Sequence, residues 1–336
     1  MSSAIEEGVV DIFNDHFYDS GKVKVDGSTL KCWKAGGHGD QTFLQVIENS
    51  CNPGFVKLGQ LLGKERLFSY INKFGFGNKT GIDLNGEGQG IIFPLSRVGN
   101  VELATSAFGQ GISVTPIQQV MAVSAVVNGG YLYKPYIVKN ISDNTNSVIY
   151  ENSKTLKRKV ISEKTSATMR YALESVVAKG GGKSAYIEGY RIGGKTVTAQ
   201  KVEDGKYLVN NYIMSFMSVV PANDPEAVFY LAIDNPKHTA MLSSYTTTPI
   251  ARRILLDIIA ALKIPKQDNE LTKDLEWSDK VTYEVPNVIG KSYNEAKKLL
   301  VNFDIIKSGT GNTIYYQSPK AGTVIEDRSK VKLFLK

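Results

Sequence analysis

The sequence predicts an α+β fold in two parts, a large unit of helices packed against a mostly antiparallel sheet and a small α+β domain after it. Three observations predict this. Apolar residues recur at helical spacing through much of residues 42–179, and apolar segments of strand length follow between 192 and 233. A charged stretch without apolar periodicity then separates these segments from residues 283–336. With 42% hydrophobic residues, the 336-residue chain is long enough for one large core and a smaller one.

The first forty residues predict a short helix followed by a polar insertion. Residues 1–10 are typical of the end of a helix that stops at Gly8, and we expect the large unit to be incomplete at its N-terminus. Residues 11–40 are rich in Gly and Asp, with short strand-like pieces such as residues 22–25. This insertion has too few apolar residues to form a core of its own.

Helical patterns dominate the next part of the large unit. Apolar spacing from Thr42 to Phe74 is interrupted at Asn52-Pro53-Gly54, which predicts a helix on each side of this break. A further helix is expected to begin at Thr115-Pro116, and another at Ser162, because these residues are typical of helix N-termini. Residues 131–160, between them, have the alternation of hairpin strands.

Three strands and a long helix are expected to complete the large unit. The strands are predicted at 192–200, 212–220 and 227–233, and the helix at 248–262. We therefore assign residues 1–262 to the large unit, 263–282 to a linker and 283–336 to the small domain, for which a helix from Ser292 and three strands are predicted.

Composition and charge narrow the function classes. There are 40 Lys and Arg against 33 Asp and Glu, so the net charge is +7, but the basic residues are scattered and do not predict a nucleic-acid partner. No apolar run reaches the length of about 18 residues that a membrane span needs. Two cysteines, Cys32 and Cys51, are too few for a disulfide framework, and we expect Cys51 to be a packing residue.

Two triplets have the residue types of a serine acyl-transfer site. Ser50-Cys51-Asn52 lies at a predicted helix break and offers a hydroxyl and an amide. Gly194-Lys195-Thr196 lies on a predicted strand, where Lys195 offers a cation and Thr196 and Thr198 offer hydroxyl donors. Each triplet alone has an ordinary structural explanation: Ser50 or Asn52 can cap a helix, and Lys195 can be an exposed cation.

The order and context of these triplets resemble the transpeptidase domain of class B penicillin-binding proteins, including members that act in sporulation. Further stretches are similar to that family: Glu48 to Phe55, Phe74-Gly75-Phe76-Gly77, Thr80-Gly81-Ile82, Phe108-Gly109-Gln110-Gly111, Thr115-Pro116 and the Gly193 to Lys201 strand. Residues 283–336 resemble a PASTA domain through Val285-Pro286-Asn287-Val288-Ile289-Gly290 and Gln317-Ser318-Pro319-Lys320-Ala321-Gly322.

The resemblance implies a penicillin-binding fold and a D,D-transpeptidase of cell-wall or spore-cortex synthesis. Ser50 and Asn52 would be the family's second motif, and Lys195 with the substrate-binding residues Thr196, Val197 and Thr198 would form the strand that holds the substrate. Stem peptides ending in D-Ala-D-Ala and β-lactams are the implied ligands, with other cell-wall synthesis proteins as possible partners. No cofactor is required, and the implied location is the extracytoplasmic face of the cell membrane.

The chain departs from the family at two places. The nucleophile motif Ser-x-x-Lys is expected before the Ser50 triplet, but the only match in that part of the sequence is Ser28-Thr29-Leu30-Lys31, inside the polar insertion. We therefore expect the chain by itself to be inactive, and a non-catalytic module that binds penicillin or muropeptides is the alternative. Val197 stands where the family has glycine, and its branched side chain predicts weaker docking of substrate.

The polar insertion also predicts a structural zinc site. His16, Cys32 and His38 lie within 23 residues of one another, and a thiolate, two imidazoles and a carboxylate suit tetrahedral zinc. We choose Asp19 as the fourth ligand. The spacings match no standard zinc finger, so the alternative is that these are ordinary loop residues.

Overall fold

The computed structural model describes residues 1–203, 206–237, 243–273, 282–326 and 329–336. Its helices are α1 (Ser2–Glu6), α2 (Phe43–Glu48), α3 (Asn52–Leu62), α4 (Lys64–Lys73), α5 (Asn100–Ala107), α6 (Pro116–Val127), α7 (Glu163–Ala178), α8 (Ser243–Leu262) and α9 (Tyr293–Leu299). Its strands are β1 (His16–Asp19), β2 (Lys22–Val25), β3 (Ser28–Lys31), β4 (Gly39–Thr42), β5 (Tyr131–Tyr133), β6 (Asn140–Ser142), β7 (Val148–Glu151), β8 (Leu156–Lys159), β9 (Gly193–Glu203), β10 (Lys206–Val220), β11 (Ala227–Asp234), β12 (Thr282–Glu284), β13 (Asp304–Ser308), β14 (Ile314–Ser318), β15 (Val324–Glu326) and β16 (Lys330–Leu335). The predicted α+β class is confirmed.

The polar insertion folds as two small antiparallel pairs, β1 with β4 and β2 with β3. It gains a core by packing on the helices: Val25 lies against Val56 of α3 and Ala104 of α5. Backbone segments approach closely at Gly37, where a Cβ would lie 2.3 Å from the carbonyl oxygen of Asp19. Glycine is therefore required there, both for this contact and for its φ of +78°.

A sharp break between α2 and α3 presents the Ser50 triplet. Thr42 and Gln45 form a capping box that starts α2, and Pro53 lies in the first turn of α3. Ser50, between these helices, has a φ of 52°. A non-glycine residue in this left-handed region is strained, and its neighbours must hold it there. The expected single helix after the break is two, because Gly63 separates α3 from α4.

The central sheet of the large unit has the antiparallel order β11-β10-β9. Phe216 of β10 is fully buried with Val177 of α7 and Leu255 of α8, so these two helices cover the sheet. β9 and β10 extend beyond the predicted strands, with a register shift between Tyr207 and Tyr212. Gly194 of β9 must lack a side chain, since a Cβ there would lie 2.4 Å from Cζ of Phe216.

The first half of the predicted linker packs against the large unit. Ile264 and Leu271 are buried, and the Asn269 side chain bonds to Gly189 N at 2.8 Å and to the Tyr190 carbonyl at 3.0 Å. The sequence did not predict this packing, because residues 263–273 are mostly charged or polar and Ile264 and Leu271 are the two apolar residues among them that are buried. Residues 274–281 of the predicted linker lie outside the described residues.

The small domain has its own core around Val285, Leu300 and Leu333. β16 is central, parallel to β13 and antiparallel to β14, while β12 pairs with β15. The predicted helix is α9, which starts with a capping box between Ser292 and Glu295. Across the residues described for both units, every helix is too short or too polar to span a membrane.

Candidate active site

A cleft of about 430 Å³ lies where the Ser50 loop meets the β9 strand. Its walls come from the loop between α2 and α3, the end of α5, the glycine-rich loop after α7, β9 and the start of α8. The sequence segments that form these walls are far apart along the chain. The fold thus brings both predicted triplets to one cavity.

Lys195 and Ser50 form the contact at the centre of the cleft. Nζ of Lys195 donates hydrogen bonds to Oγ of Ser50 at 2.8 Å and to the carbonyl oxygen of Thr196 at 3.0 Å. Burial lowers the pKa of Lys195 from 10.5 to about 8. The lysine is therefore a cation that gives up its proton unusually easily, next to a hydroxyl able to accept or pass one on.

The polar insertion holds the Ser50 loop from the side. The Asn52 side-chain amide donates to the carbonyl oxygen of Lys31 at 3.1 Å, and the Trp33 indole donates to that of Asn49 at 2.7 Å. These two bonds tie both flanks of Ser50 to the end of β3 and the residues that directly follow it. Residues 31–33 thereby help to keep Ser50 in its strained conformation.

The β9 wall of the cleft carries Thr196, Val197 and Thr198. Oγ1 of Thr198 lies 3.0 Å from Oγ of Ser243, whose backbone N–H also donates to it at 3.2 Å. The Ser243 hydroxyl donates in addition to the carbonyl oxygen of Val197. Val197 itself is 42% exposed and lines the cleft, so its branched side chain occupies space that glycine would leave open.

Two features of the cleft were not predicted. Ser243 begins α8, 45 residues after Thr198, and no spacing in the sequence indicates their contact. The buried carboxylate of Glu48 accepts a hydrogen bond from Ser175 of α7, and its carbonyl oxygen accepts one from Gly181 N at 3.1 Å. A Cβ on Gly180 would lie 2.5 Å from that carbonyl oxygen, so the run of glycines after α7 is the sequence feature from which this close approach could have been predicted.

Two family models match the chain. The penicillin binding protein transpeptidase domain matches residues 1–256, and the PASTA domain matches residues 283–336. The chain belongs to the penicillin-binding protein transpeptidase family.

The chain is also similar to individual members of this family, both curated proteins and solved structures. The chain is 55% identical over 336 residues to stage V sporulation protein D of Bacillus subtilis, covering 100% of this chain and 52% of that protein. It is 28% identical over 266 residues to the peptidoglycan D,D-transpeptidase FtsI of Escherichia coli, covering 79% of this chain and 42% of that one. Penicillin binding protein 3 of Mycobacterium tuberculosis, solved in complex with aztreonam, superposes with a TM-score of 0.73 at 27% identity, covering 81% of this chain and 63% of that chain. The chain thus spans about half the length of the curated relatives it matches.

Ser28, of the tetrapeptide that matches Ser-x-x-Lys before the Ser50 triplet, does not line the cleft. Ser28 lies on β3, where it pairs with Val25 in the small β2–β3 hairpin, and it is absent from the residues that line the cleft. The carbonyl oxygen of Lys31, in the same tetrapeptide, accepts the hydrogen bond from the Asn52 side chain. This tetrapeptide is therefore part of the insertion that supports the Ser50 loop.

The predicted metal ligands divide into two groups. Asp19, Cys32 and His38 come together with buried side chains, and Cys51 of the Ser50 triplet joins them. His16 does not join them: its Nδ1 bonds to Asp40 at 2.9 Å in an exposed pair on the β1–β4 surface. His16 and Asp19 lie three residues apart on one strand, so their side chains point to opposite faces.

Proposed function

We propose that residues 1–262 form the substrate-orienting part of a peptidoglycan D,D-transpeptidase, and that the nucleophilic serine comes from a Ser-x-x-Lys segment preceding residue 1. The contact between Lys195 and Ser50 is the observation that carries this proposal. It places a cation, a hydroxyl and the Asn52 amide around one cavity next to an extended strand. The transpeptidase match and the names of the relatives support the same reaction.

We assign each residue a role in acyl transfer that this geometry supports. The substrate is a stem peptide ending in D-Ala-D-Ala, whose terminal carboxylate binds beside Lys195 and the Thr198 hydroxyl. The upstream serine gives its hydroxyl proton to the lysine of its own Ser-x-x-Lys segment, and its oxygen attacks the carbonyl of the penultimate residue. The tetrahedral intermediate collapses to the serine ester by breaking the peptide bond and releasing D-alanine, whose amine takes up a proton. Ser50 and Lys195 pass a proton to that leaving amine, while Asn52 orients the peptide amide. An amine of a second stem peptide then attacks the ester carbonyl and forms the new peptide bond, and the proton that it loses returns to the serine oxygen, which leaves as the free hydroxyl.

This reaction uses side chains and backbone groups alone and needs no cofactor. The identity to stage V sporulation protein D supports a role in sporulation, in the peptidoglycan of the spore cortex. Stem peptides and β-lactams are the proposed ligands, with other cell-wall synthesis proteins as partners. The proposed location is the extracytoplasmic face of the membrane, because this is where peptidoglycan is cross-linked.

A non-catalytic binding module is the second candidate function. The position of Ser28 on β3, away from the cleft, favours it for the 336-residue chain taken alone. In that case the cleft and the PASTA domain bind muropeptides without forming an ester. The two candidates differ in one property, the formation of a covalent acyl-enzyme.

Intact mass after incubation with penicillin distinguishes them. We expect no adduct on the 336-residue chain, and one drug mass on an extended protein in which the segment preceding the matched part of the Bacillus subtilis relative is joined to residue 1. The extended protein with its Ser-x-x-Lys serine changed to alanine is the control. An adduct on the short chain would contradict the inactivity of this chain, and an unmodified extended protein would contradict the transpeptidase proposal.

Replacing Val197 by glycine is expected to increase the rate of acylation of the extended protein by penicillin roughly 3- to 10-fold, an effect of about 1 kcal/mol. The side chain of Val197 projects into the cleft on the strand where the substrate must lie. Removing it lets the ligand approach the β9 backbone. The rate is measured with a fluorescent penicillin. Val202→Gly, at an exposed position farther along β9, is the matched control, and equal rates for Val197→Gly and the parent would contradict the steric explanation.

A further inference from the structure

We propose that Ser243 limits ligand binding by holding the proton of the Thr198 hydroxyl, which makes it a positioning residue for the carboxylate end of the ligand. This inference rests on the proposed function, in which the terminal carboxylate binds beside Lys195 and the Thr198 hydroxyl. Ser243 is the first residue of α8, is 1% exposed and lines the cleft. Its hydroxyl contacts two residues of β9, Val197 and Thr198.

The number of protons fixes the direction of these hydrogen bonds. A serine hydroxyl has one proton to donate, and a carbonyl oxygen can only accept. The Ser243 hydroxyl donates to the carbonyl oxygen of Val197, so its proton is used there. In the contact of 3.0 Å between Oγ1 of Thr198 and Oγ of Ser243, the donor is therefore Thr198. The chain of hydrogen bonds runs from Thr198 to Ser243 and on to the Val197 carbonyl.

The backbone of Ser243 holds the same threonine oxygen from a second direction. The N–H of Ser243 donates to Oγ1 of Thr198 at 3.2 Å. N–H groups in the first turn of a helix have no partner within the helix, so Thr198 satisfies one such group of α8. This bond does not involve the Ser243 side chain. A change of that side chain therefore alters the direction of the Thr198 proton without releasing the Thr198 oxygen.

A ligand must displace Ser243 as the acceptor before Thr198 can donate to the ligand. Binding a carboxylate then exchanges a neutral hydrogen bond for one to a charged acceptor, which is roughly twice as strong. The ligand gains only the difference between the two bonds. Without the Ser243 hydroxyl, the Thr198 proton faces water in the cleft, and the net value of the neutral bond is no longer lost on binding.

Removal of the Ser243 hydroxyl tests this competition. Ser243→Ala in the extended protein is expected to increase the second-order rate constant of acylation by a fluorescent penicillin roughly 3- to 10-fold, the net effect of one neutral hydrogen bond. Thr248→Val is the matched control. The Thr248 hydroxyl also lies on α8 and donates to a carbonyl oxygen, that of Ser244 at 2.6 Å, but Thr248 is outside the described lining of the cleft. Its replacement is expected to leave the rate constant unchanged.

Thr198→Val shows whether the effect of Ser243 acts through Thr198. Valine keeps the shape of threonine but has no hydroxyl, so Ser243 has no proton to hold. We expect Thr198→Val alone to slow acylation, and Ser243→Ala to have no further effect in that background. A merely structural role of Ser243 would change the rate constant equally with and without the Thr198 hydroxyl. Circular dichroism shows whether each variant is folded, and Ser243→Gly and Thr198→Ala are second variants for the same two positions.

The outcomes separate this inference from the proposed function. An extended parent protein that penicillin does not acylate would contradict the proposed function, and this inference with it. A parent that is acylated, together with an equal or lower rate constant for Ser243→Ala, would overturn this inference alone. An increase that persists in the Thr198→Val background, or that Thr248→Val reproduces, would overturn it as well.

Discussion

Replacing Lys195 by methionine is expected to slow acylation of the extended protein by penicillin roughly 100- to 1,000-fold, the usual cost of removing one preorganised charge from an active site. Lys195 is buried, and its ammonium group faces Ser50 inside the cleft. Methionine preserves the length and packing of the side chain but removes the charge and the donor. The second-order rate constant is measured with a fluorescent penicillin.

The pH dependence of this rate constant gives an independent readout. Burial lowers the pKa of Lys195 to about 8, so the cation is present below pH 8 and is lost as the pH rises through that value. We therefore expect the second-order rate constant, which reports the free protein, to fall above about pH 8. Lys195→Arg remains charged throughout, and we expect its slower reaction to lack this fall.

Lys201→Met is the control for the Lys195 variants. Lys201 lies on the same strand but pairs with Asp234 at 2.8 Å outside the cleft. Its replacement is expected to change neither the rate constant nor its pH dependence. Acylation of Lys195→Met at the parent rate would contradict the role given to Lys195.

The parts of the site that local motifs determine could be predicted from the sequence. Ser50 and Asn52 lie at a helix break because Pro53 can begin a helix but cannot continue one. Lys195 lies on a strand edge in a run of glycine and β-branched residues. Family resemblance then placed the two segments at one site, which their spacing alone does not indicate.

The remaining contacts depend on long-range packing and could not be predicted from local patterns. Cys51 is buried in the hydrophobic core, as predicted, but nothing near it in sequence shows that Asp19 lies 3.3 Å away. His16 was predicted as a ligand because it lies within 23 residues of Cys32 and His38, although strand alternation directs its side chain to the opposite face from that of Asp19. The contact of Ser243 with Thr198 requires the position of α8 on the sheet, which tertiary packing decides.

Replacing Arg191 by alanine is expected to destabilise the large unit by about 3–5 kcal/mol, because it leaves a buried carboxylate without its cation. The Arg191 guanidinium makes a two-point contact with Glu174 of α7, at 3.0 Å from Nε and 2.6 Å from Nη2, and Glu174 is nearly fully buried. The same guanidinium bonds to Glu270, in the segment predicted as a linker. The free energy of unfolding is measured by urea denaturation followed by circular dichroism.

A double-mutant cycle separates the ion pair from simple loss of side-chain packing. Arg191→Ala combined with Glu174→Ala leaves neither charge uncompensated, so we expect the double variant to be more stable than the sum of the single effects requires. Lys201→Ala is the matched surface control: its pair with Asp234 is largely exposed and should cost less than about 1 kcal/mol. Additive effects of Arg191→Ala and Glu174→Ala would contradict a coupled pair. Because Arg191 also bonds to Glu270, Arg191→Ala is further expected to increase hydrogen exchange in residues 264–271, whereas Lys201→Ala leaves that segment protected.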